Sequence, residues 1–243
     1  YKRQKVDFAK NNNLFIKNLN KKSVLQITKD GKENSIINGI TDWVYEEEFG
    51  FVRAFEWSAD SKNLAFLRFN ESKVPTFSMD IVGEKNYPNQ QVFKYPKAGE
   101  NNAKVSLHLY NILSKRIKQI SLGNYEYIPR IKWSNDGNFL VATTLNRHQN
   151  NLKLYKVNAL KSVANLLLNE NDNAYIDITD NLTFLNDNSF IWTSEKDGFN
   201  HIYHYNFSGE LINQITNGNW EVTNYYGFNK EKKRIYYQSV ENG

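Results

Sequence analysis

One pattern recurs four times along this chain: an aromatic residue, a small polar residue, a turn containing Asn or Asp, then an apolar run. Phe55-Glu56-Trp57-Ser58-Ala59-Asp60 leads to Leu64-Ala65-Phe66-Leu67, and Ile131-Lys132-Trp133-Ser134-Asn135-Asp136-Gly137 leads to Phe139-Leu140-Val141-Ala142. Leu182-Thr183-Phe184-Leu185-Asn186-Asp187 leads to Phe190-Ile191-Trp192, and Tyr226-Gly227-Phe228-Asn229 leads to Arg234-Ile235-Tyr236-Tyr237. Each copy reads as two antiparallel strands joined by a tight polar turn. Further strand pairs interleave with these: Leu14–Asn18 with Val24–Thr28, Leu107–Asn111 with Ile117–Ser121, Leu152–Tyr155 with Val163–Leu166, and His201–Tyr205 with Leu211–Thr216. The repeating unit is therefore four short strands. The aligned aromatics Trp57, Trp133, Phe184 and Phe228 lie 76, 51 and 44 residues apart. Four-stranded units at a period of roughly 40–50 residues predict an all-β fold of propeller blades.

The long first interval holds an insertion at about 70–103. It contains Pro75, Pro88 and Pro96 and alternates polar residues with Phe77, Tyr87, Phe93 and Tyr95. That aromatic content argues against a solvated linker and predicts an extended arm. At the ends, Val6–Ala9 reads as a second blade strand without a first. No third or fourth strand follows Tyr236. About three whole blades and two partial ones are expected over residues 1–243. Blades are stabilised by their neighbours, and open ends expose strand edges. Together with Tyr1 in place of Met, this leads us to expect a piece of a larger propeller protein.

Aromatics make up 14% of the chain, which suits strands better than helices. Net charge is +5, but the lysines are scattered through turns and form no stripe, so nucleic acid is not an expected partner. There is no Cys, so disulfides and thiolate metal sites are excluded. No apolar stretch approaches the ~20 residues of a membrane span, and no signal peptide is visible. The Asn/Lys bias and the lack of Cys point to a bacterial source.

Several chemistries are missing. No Gly-x-Ser-x-Gly elbow and no His-Glu-x-x-His pair occurs. His201 and His204 lie three apart in a predicted strand, hence on opposite faces, and are read as structural. The Asn-x-Ser/Thr triplets at 70, 181 and 206 are expected by chance in an Asn-rich chain.

Residues 42–49, Asp-Trp-Val-Tyr-Glu-Glu-Glu-Phe, stand apart. Three carboxylates are boxed by Trp43, Tyr45, Phe49 and Phe51, residues that favour burial. Carboxylates crowded near apolar walls lose solvent and repel one another unless a cation completes the cluster. Three settings fit the run: a solvated helix start, a calcium site whose ligand spacing matches no known loop, or a cavity that captures an organic ammonium.

Asn38-Gly39-Ile40-Thr41-Asp42-Trp43-Val44-Tyr45-Glu46-Glu47-Glu48 closely resembles the signature of the dipeptidyl peptidase IV family of prolyl-oligopeptidase-like serine peptidases. Phe66–Pro75, Tyr95-Pro96-Lys97-Ala98-Gly99, Gly198-Phe199-Asn200-His201-Ile202-Tyr203 and Gly218-Asn219-Trp220-Glu221-Val222 resemble further segments of that family, so the likeness covers nearly the whole chain. The resemblance implies part of an eight-bladed propeller and a separate C-terminal α/β-hydrolase domain, which is absent from this chain. It implies a serine enzyme that releases Xaa-Pro or Xaa-Ala dipeptides from peptides with a free N-terminus, without metal or cofactor. On this resemblance Glu47 and Glu48 bind the substrate ammonium and Phe199 flanks its side-chain pocket. Glu46, Tyr45 and Asn200 complete the candidate set, with Asn200 standing where relatives often carry Arg. No catalytic residue is expected here, since the triad would lie beyond Gly243 and a substrate-holding Arg before Tyr1. The arm implies a homodimer, and the family implies export. The alternatives are a propeller that binds peptides without cleaving them, or a scaffold in which Glu47 and Glu48 pair with Arg53.

Overall fold

A computed structural model describes residues 5–84 and 86–241. Residues 1–4, 85 and 242–243, which include both ends of the chain, lie outside the described residues. The chain divides into two compact units, residues 1–56 with 63–119 and residues 57–62 with 120–243.

In the first unit, β1 (Lys5–Lys10), β2 (Asn13–Asn18) and β3 (Val24–Gln26) form a three-stranded antiparallel sheet. Asn11 and Asn12 turn β1 into β2 with φ of 50° and 57°, the left-handed pair that a two-residue hairpin requires. The next sheet runs β10-β9-β6-β4: Arg116–Ile120, Lys104–Asn111, Asn63–Asn70 and Ile36–Asn38. β5 (Phe55–Trp57) also pairs β6. The repeat pattern places the Glu run between blade strands. In the structure it does lie between strands, with β4 before it and β5 after it, both paired to β6.

Between β6 and β9 the chain leaves the sheet as an antiparallel ribbon, β7 (Thr76–Ile81) and β8 (Asn89–Lys94). Phe77 faces Phe93 across it, with ring centroids 5.9 Å apart, and Tyr95 packs against both at its base. Met79 and Ile81 continue the Phe77 face and are exposed.

The second unit holds two four-stranded sheets and a hairpin. The first sheet is β11 (Tyr127–Trp133), β12 (Phe139–Leu145), β13 (Asn151–Asn158) and β14 (Val163–Asn171). The second is β15 (Thr183–Phe184), β16 (Phe190–Ser194), β17 (His201–Tyr205) and β18 (Leu211–Gln214). The hairpin is β19 (Val222–Asn229) with β20 (Arg234–Ser239). These all-β sheets are propeller blades, whole or partial. The second strands β6, β12 and β16 are buried along nearly their whole length, so their apolar runs are continuous rather than alternating.

The recurrent sequence pattern has a local cause. Asp60, Asp136 and Asp187 each accept a hydrogen bond from the backbone N–H two residues on, at 3.1, 2.9 and 3.0 Å. The intervening Ser61, Gly137 and Asn188 have φ of 58°, 71° and 64°. A side-chain oxygen thus stabilises the left-handed turn that starts each second strand.

Blade contacts in the second unit follow the repeat period. Asn135 donates to the Phe184 carbonyl, 49 residues on, at 2.9 Å. Lys156 donates to the Phe207 carbonyl, 51 residues on, and its ammonium lies 4.4 Å from that ring centre. His201 is fully buried between Thr216 (3.1 Å) and the Gly218 carbonyl (3.1 Å), and His204 bonds Ser189 at 2.9 Å. Both imidazoles hold blade strands together.

Candidate functional site

The Glu run sits on an excursion with a closed neck. Gly39 N–H donates to Leu67 O (3.0 Å), Ala54 N–H to Gly39 O (3.0 Å) and Leu67 N–H to Ala54 O (2.8 Å). Gly39 has φ of 77°, and a Cβ there would press on Leu14 and Phe55. Above the neck, Thr41 bonds Val52 O through its N–H (3.1 Å) and Phe51 O through its hydroxyl (2.9 Å).

The excursion carries one helical turn, α1 (Trp43–Glu47). Asp42 caps it from an extended conformation, its Oδ1 accepting from Tyr45 N–H at 3.1 Å. Tyr45 and Phe49, four apart, share the inner face with ring centroids 4.9 Å apart. Tyr45 also meets Phe69 at 4.8 Å and Phe51 at 5.8 Å, all edge-on. Trp43 packs edge-on against Tyr95 of the arm base at 4.4 Å.

With residues 45 and 49 claiming the inner face, Glu46, Glu47 and Glu48 take the outer arc and all are exposed. The run therefore does not lose solvent to the aromatics around it, as its sequence setting suggests. Glu47 and Glu48 close the helix, the end where negative charge gains nothing from the backbone dipoles. Among the described residues no ion pair reaches any of the three. Arg53, the partner of the scaffold alternative, lies 3.9 Å from Glu56 and over the Phe55 ring. Tyr45 is an anchor beneath the helix, only 2% exposed.

The buried carboxyls of this region are Asp42 and Glu71. Burial pushes Asp42 up to about 6 against its hydrogen bond from Tyr45. Burial, then the Asp42 charge, pushes Glu71 up to about 7, with Lys94 opposing. Sequence reasoning missed Glu71. Its only signal is its place directly after the apolar strand that carries Phe69.

In the second unit, Phe199 and Asn200 lie in the turn between β16 and β17. Phe199 is 38% exposed. Asn200 exchanges two bonds with Val222, accepting from its N–H at 2.8 Å and donating to its carbonyl at 2.7 Å. Its amide thus fastens the start of β19. Asn200 also borders a cavity of about 190 Å³ lined by Glu170, Trp192, Ser194, Glu195 and Lys196, whereas Phe199 does not line it. Trp192 Nε1 donates to Glu170 at 3.0 Å. Lys196 donates to Tyr205 Oη at 2.7 Å and sits 3.9 Å from the Tyr203 ring centre. Burial raises Glu170 and lowers Lys196; it also raises Glu195, with help from the charges of Asp177, Glu221 and Asp172. Glu170 and Glu195 were not legible as cavity residues, because they come from different blades. Among the described residues, no three metal-ligating side chains converge.

The family model for the dipeptidyl peptidase IV N-terminal region matches residues 2–243. The crystal structure of Porphyromonas gingivalis dipeptidyl peptidase 4 superposes with a TM-score of 0.93 at 43% identity, over 99% of this chain and 35% of that one. A putative dipeptidyl aminopeptidase IV from Bacteroides ovatus shares the fold, with a TM-score of 0.75 at 22% identity over 99% of this chain and 41% of that one. The probable dipeptidyl-aminopeptidase B of Uncinocarpus reesii is 33% identical over 91% of this chain and 27% of its own length. The chain spans about a third or less of the curated relatives it matches.

Proposed function

Because the chain belongs to the dipeptidyl peptidase IV N-terminal-region family, we propose that it is the substrate-recognising part of a serine dipeptidyl aminopeptidase. Glu47 and Glu48 hold the α-ammonium of a peptide with a free N-terminus, and the enzyme releases Xaa-Pro or Xaa-Ala dipeptides. The observation that carries this reading is the exposure of Glu47 and Glu48 on a one-turn helix anchored from below by Tyr45 and Phe49, with no cation of the described chain paired to them. Two fixed carboxylates accept charge-assisted hydrogen bonds from one ammonium. They then set a fixed distance to the bond cut, so substrates are measured in residues from the N-terminus. The nucleophile and its base belong to a hydrolase domain outside this chain. Glu46 adds negative potential beside the pair, and Phe199 is assigned to the wall of the substrate pocket. Asn200 has its amide committed to Val222 and contributes shape rather than charge. The β7–β8 ribbon, with Phe77, Met79 and Ile81 on one face, is assigned to contact with a second copy, since a lone two-stranded ribbon is marginal in water. Export from a bacterial cell completes the proposal.

The test is the full-length protein with Glu47→Gln and Glu48→Gln. Hydrogen bonds to charged groups are worth about 1.5–3 kcal/mol each. The double variant should lose at least about a hundredfold in kcat/KM on a glycyl-prolyl chromogenic amide while melting normally. Unchanged kcat/KM would remove the ammonium-binding role.

A further inference from the structure

We propose that Tyr95, at the base of the β7–β8 ribbon, is a positioning residue for Glu47 and Glu48 and acts on them through Trp43. This rests on the ammonium-binding role of the Glu pair proposed above. The helix α1 runs from Trp43 to Glu47, so its first and last residues are four apart and share a face. That face is not the inner one, which Tyr45 and Phe49 occupy. The inner contacts hold the turn down on the sheet, where Tyr45 meets Phe69 of β6. A one-turn helix held only from below can still tilt sideways. Trp43 supplies the lateral contact. Its ring meets the Tyr95 ring with 4.4 Å between centroids and 67° between planes, the edge-on geometry that aromatic pairs prefer. Both residues are half-buried.

Tyr95 is itself fixed. Its N–H donates to Pro75 O at 3.0 Å, which extends the β7–β8 ladder one pair beyond Thr76 opposite Lys94. Its ring packs against Phe77 and Phe93 at 5.6 and 6.3 Å. The root of the ribbon is tied in turn. Lys94 Nζ donates to Val74 O at 2.7 Å, and Val74 N–H donates to Glu71 O at 3.0 Å. Glu71 directly follows the end of β6 at Asn70. A continuous run of contacts therefore leads from β6 through the ribbon base to Trp43 and, one helical turn on, to Glu47.

The consequence is for affinity. Two carboxylates accept hydrogen bonds from one ammonium in only a narrow set of orientations. Without the Tyr95 ring, α1 stays docked on Tyr45 and Phe49 but spreads over several tilts. The competent fraction falls, and KM rises in inverse proportion. One aromatic pair is worth enough to move that fraction by about twofold to about tenfold. Once substrate is bound, its ammonium holds the pair in the competent orientation, so kcat stays the same.

The experiment uses the full-length protein. KM and kcat for glycyl-prolyl-p-nitroanilide are measured in wild type, Trp43→Ala, Tyr95→Ala and the double variant. Each single variant should raise KM by about twofold to about tenfold with kcat unchanged. The double variant should be no worse than the worse single variant, because both remove one contact. Tyr95→Phe keeps the ring and should restore wild-type KM. Tyr95→Ala also loosens the ribbon at Phe77 and Phe93, but Trp43 is not on the ribbon, so the cycle isolates the contact between them. Amide hydrogen exchange over residues 42–50 should lose protection equally in both single variants. Wild-type KM in either single variant, effects that multiply in the double variant, or a fall in kcat alone overturns the positioning role. The Glu47→Gln, Glu48→Gln protein is assayed alongside. If it keeps wild-type KM, the ammonium reading fails and takes the positioning role with it. If it loses affinity while the effects of Trp43→Ala and Tyr95→Ala multiply, the positioning role alone fails.

Discussion

Truncating Tyr45 tests whether the aromatic anchor, rather than the helix itself, holds the Glu pair in place. A single helical turn has no stability of its own in water. Its docking must come from what Tyr45 and Phe49 bury. Tyr45 is 2% exposed and packs edge-on against Phe49, Phe51 and Phe69 at 4.9, 5.8 and 4.8 Å. Cutting a buried aromatic of this kind to Ala costs about 3–5 kcal/mol. The neck bonds among Gly39, Ala54 and Leu67 lie below the anchor, so the excursion can undock while the blade stays folded. At about 1.4 kcal/mol per decade, the docked population falls by between about a hundredfold and a few thousandfold, less any surplus stability in wild type. Since KM scales inversely with the competent fraction, Tyr45→Ala in the full-length protein should raise KM by up to that factor. The melting temperature of the whole protein should change little. Amide hydrogen exchange over residues 42–50 supplies a readout that needs no substrate, and it should lose protection there and keep it in β6. Wild-type KM together with intact protection over those residues would refute the anchor argument.

Two further outcomes follow from the same physics. Asp42 has its proton affinity raised from 3.8 to about 6 by burial, so the stability it contributes is fully present below about pH 4 and is lost as pH rises through about 6. Asp42→Asn keeps the cap and removes the charge. It should match wild type in a thermal melt at about pH 4 and exceed it at about pH 8 by at most about 3 kcal/mol, so a larger deficit at the alkaline end would refute the sign. Gly209 has φ of 88°, and a Cβ there would overlap the Leu167 carbonyl of the preceding blade. Gly209→Ala should therefore cost about 2–4 kcal/mol in urea denaturation, and a loss below about 0.5 kcal/mol would show that the blades slide apart freely.

The blade architecture was legible because its causes are local. The Asp60, Asp136 and Asp187 turns are made within three residues, and the apolar runs after them are second strands wherever the fold puts them. Aromatics too dense for a linker mark 70–103 in the sequence, and in the structure Tyr95 packs edge-on against Trp43. The pairing of β4 with β6 was not legible. Ile36–Asn38 has only three residues, and its partner, Ile36 opposite Asn70, is 34 positions away. Of the settings the Glu run allowed, the structure has it exposed on a helical turn and not crowded against the aromatics. Neighbouring aromatics in the sequence do not imply an apolar wall, because on a helix residues 45 and 49 turn inward while 46–48 turn outward.

By itself, the sequence determined the repeating unit, the turn chemistry that starts each blade's second strand, and the family to which the chain belongs. Only the tertiary structure decided which carboxyls face water and which do not. Burial is a property of what covers a residue, and the cover over Asp42 and Glu71 comes from segments distant in the chain. The same three glutamates that look crowded in the sequence are therefore exposed, and the carboxyls that lose solvent are Asp42 and Glu71.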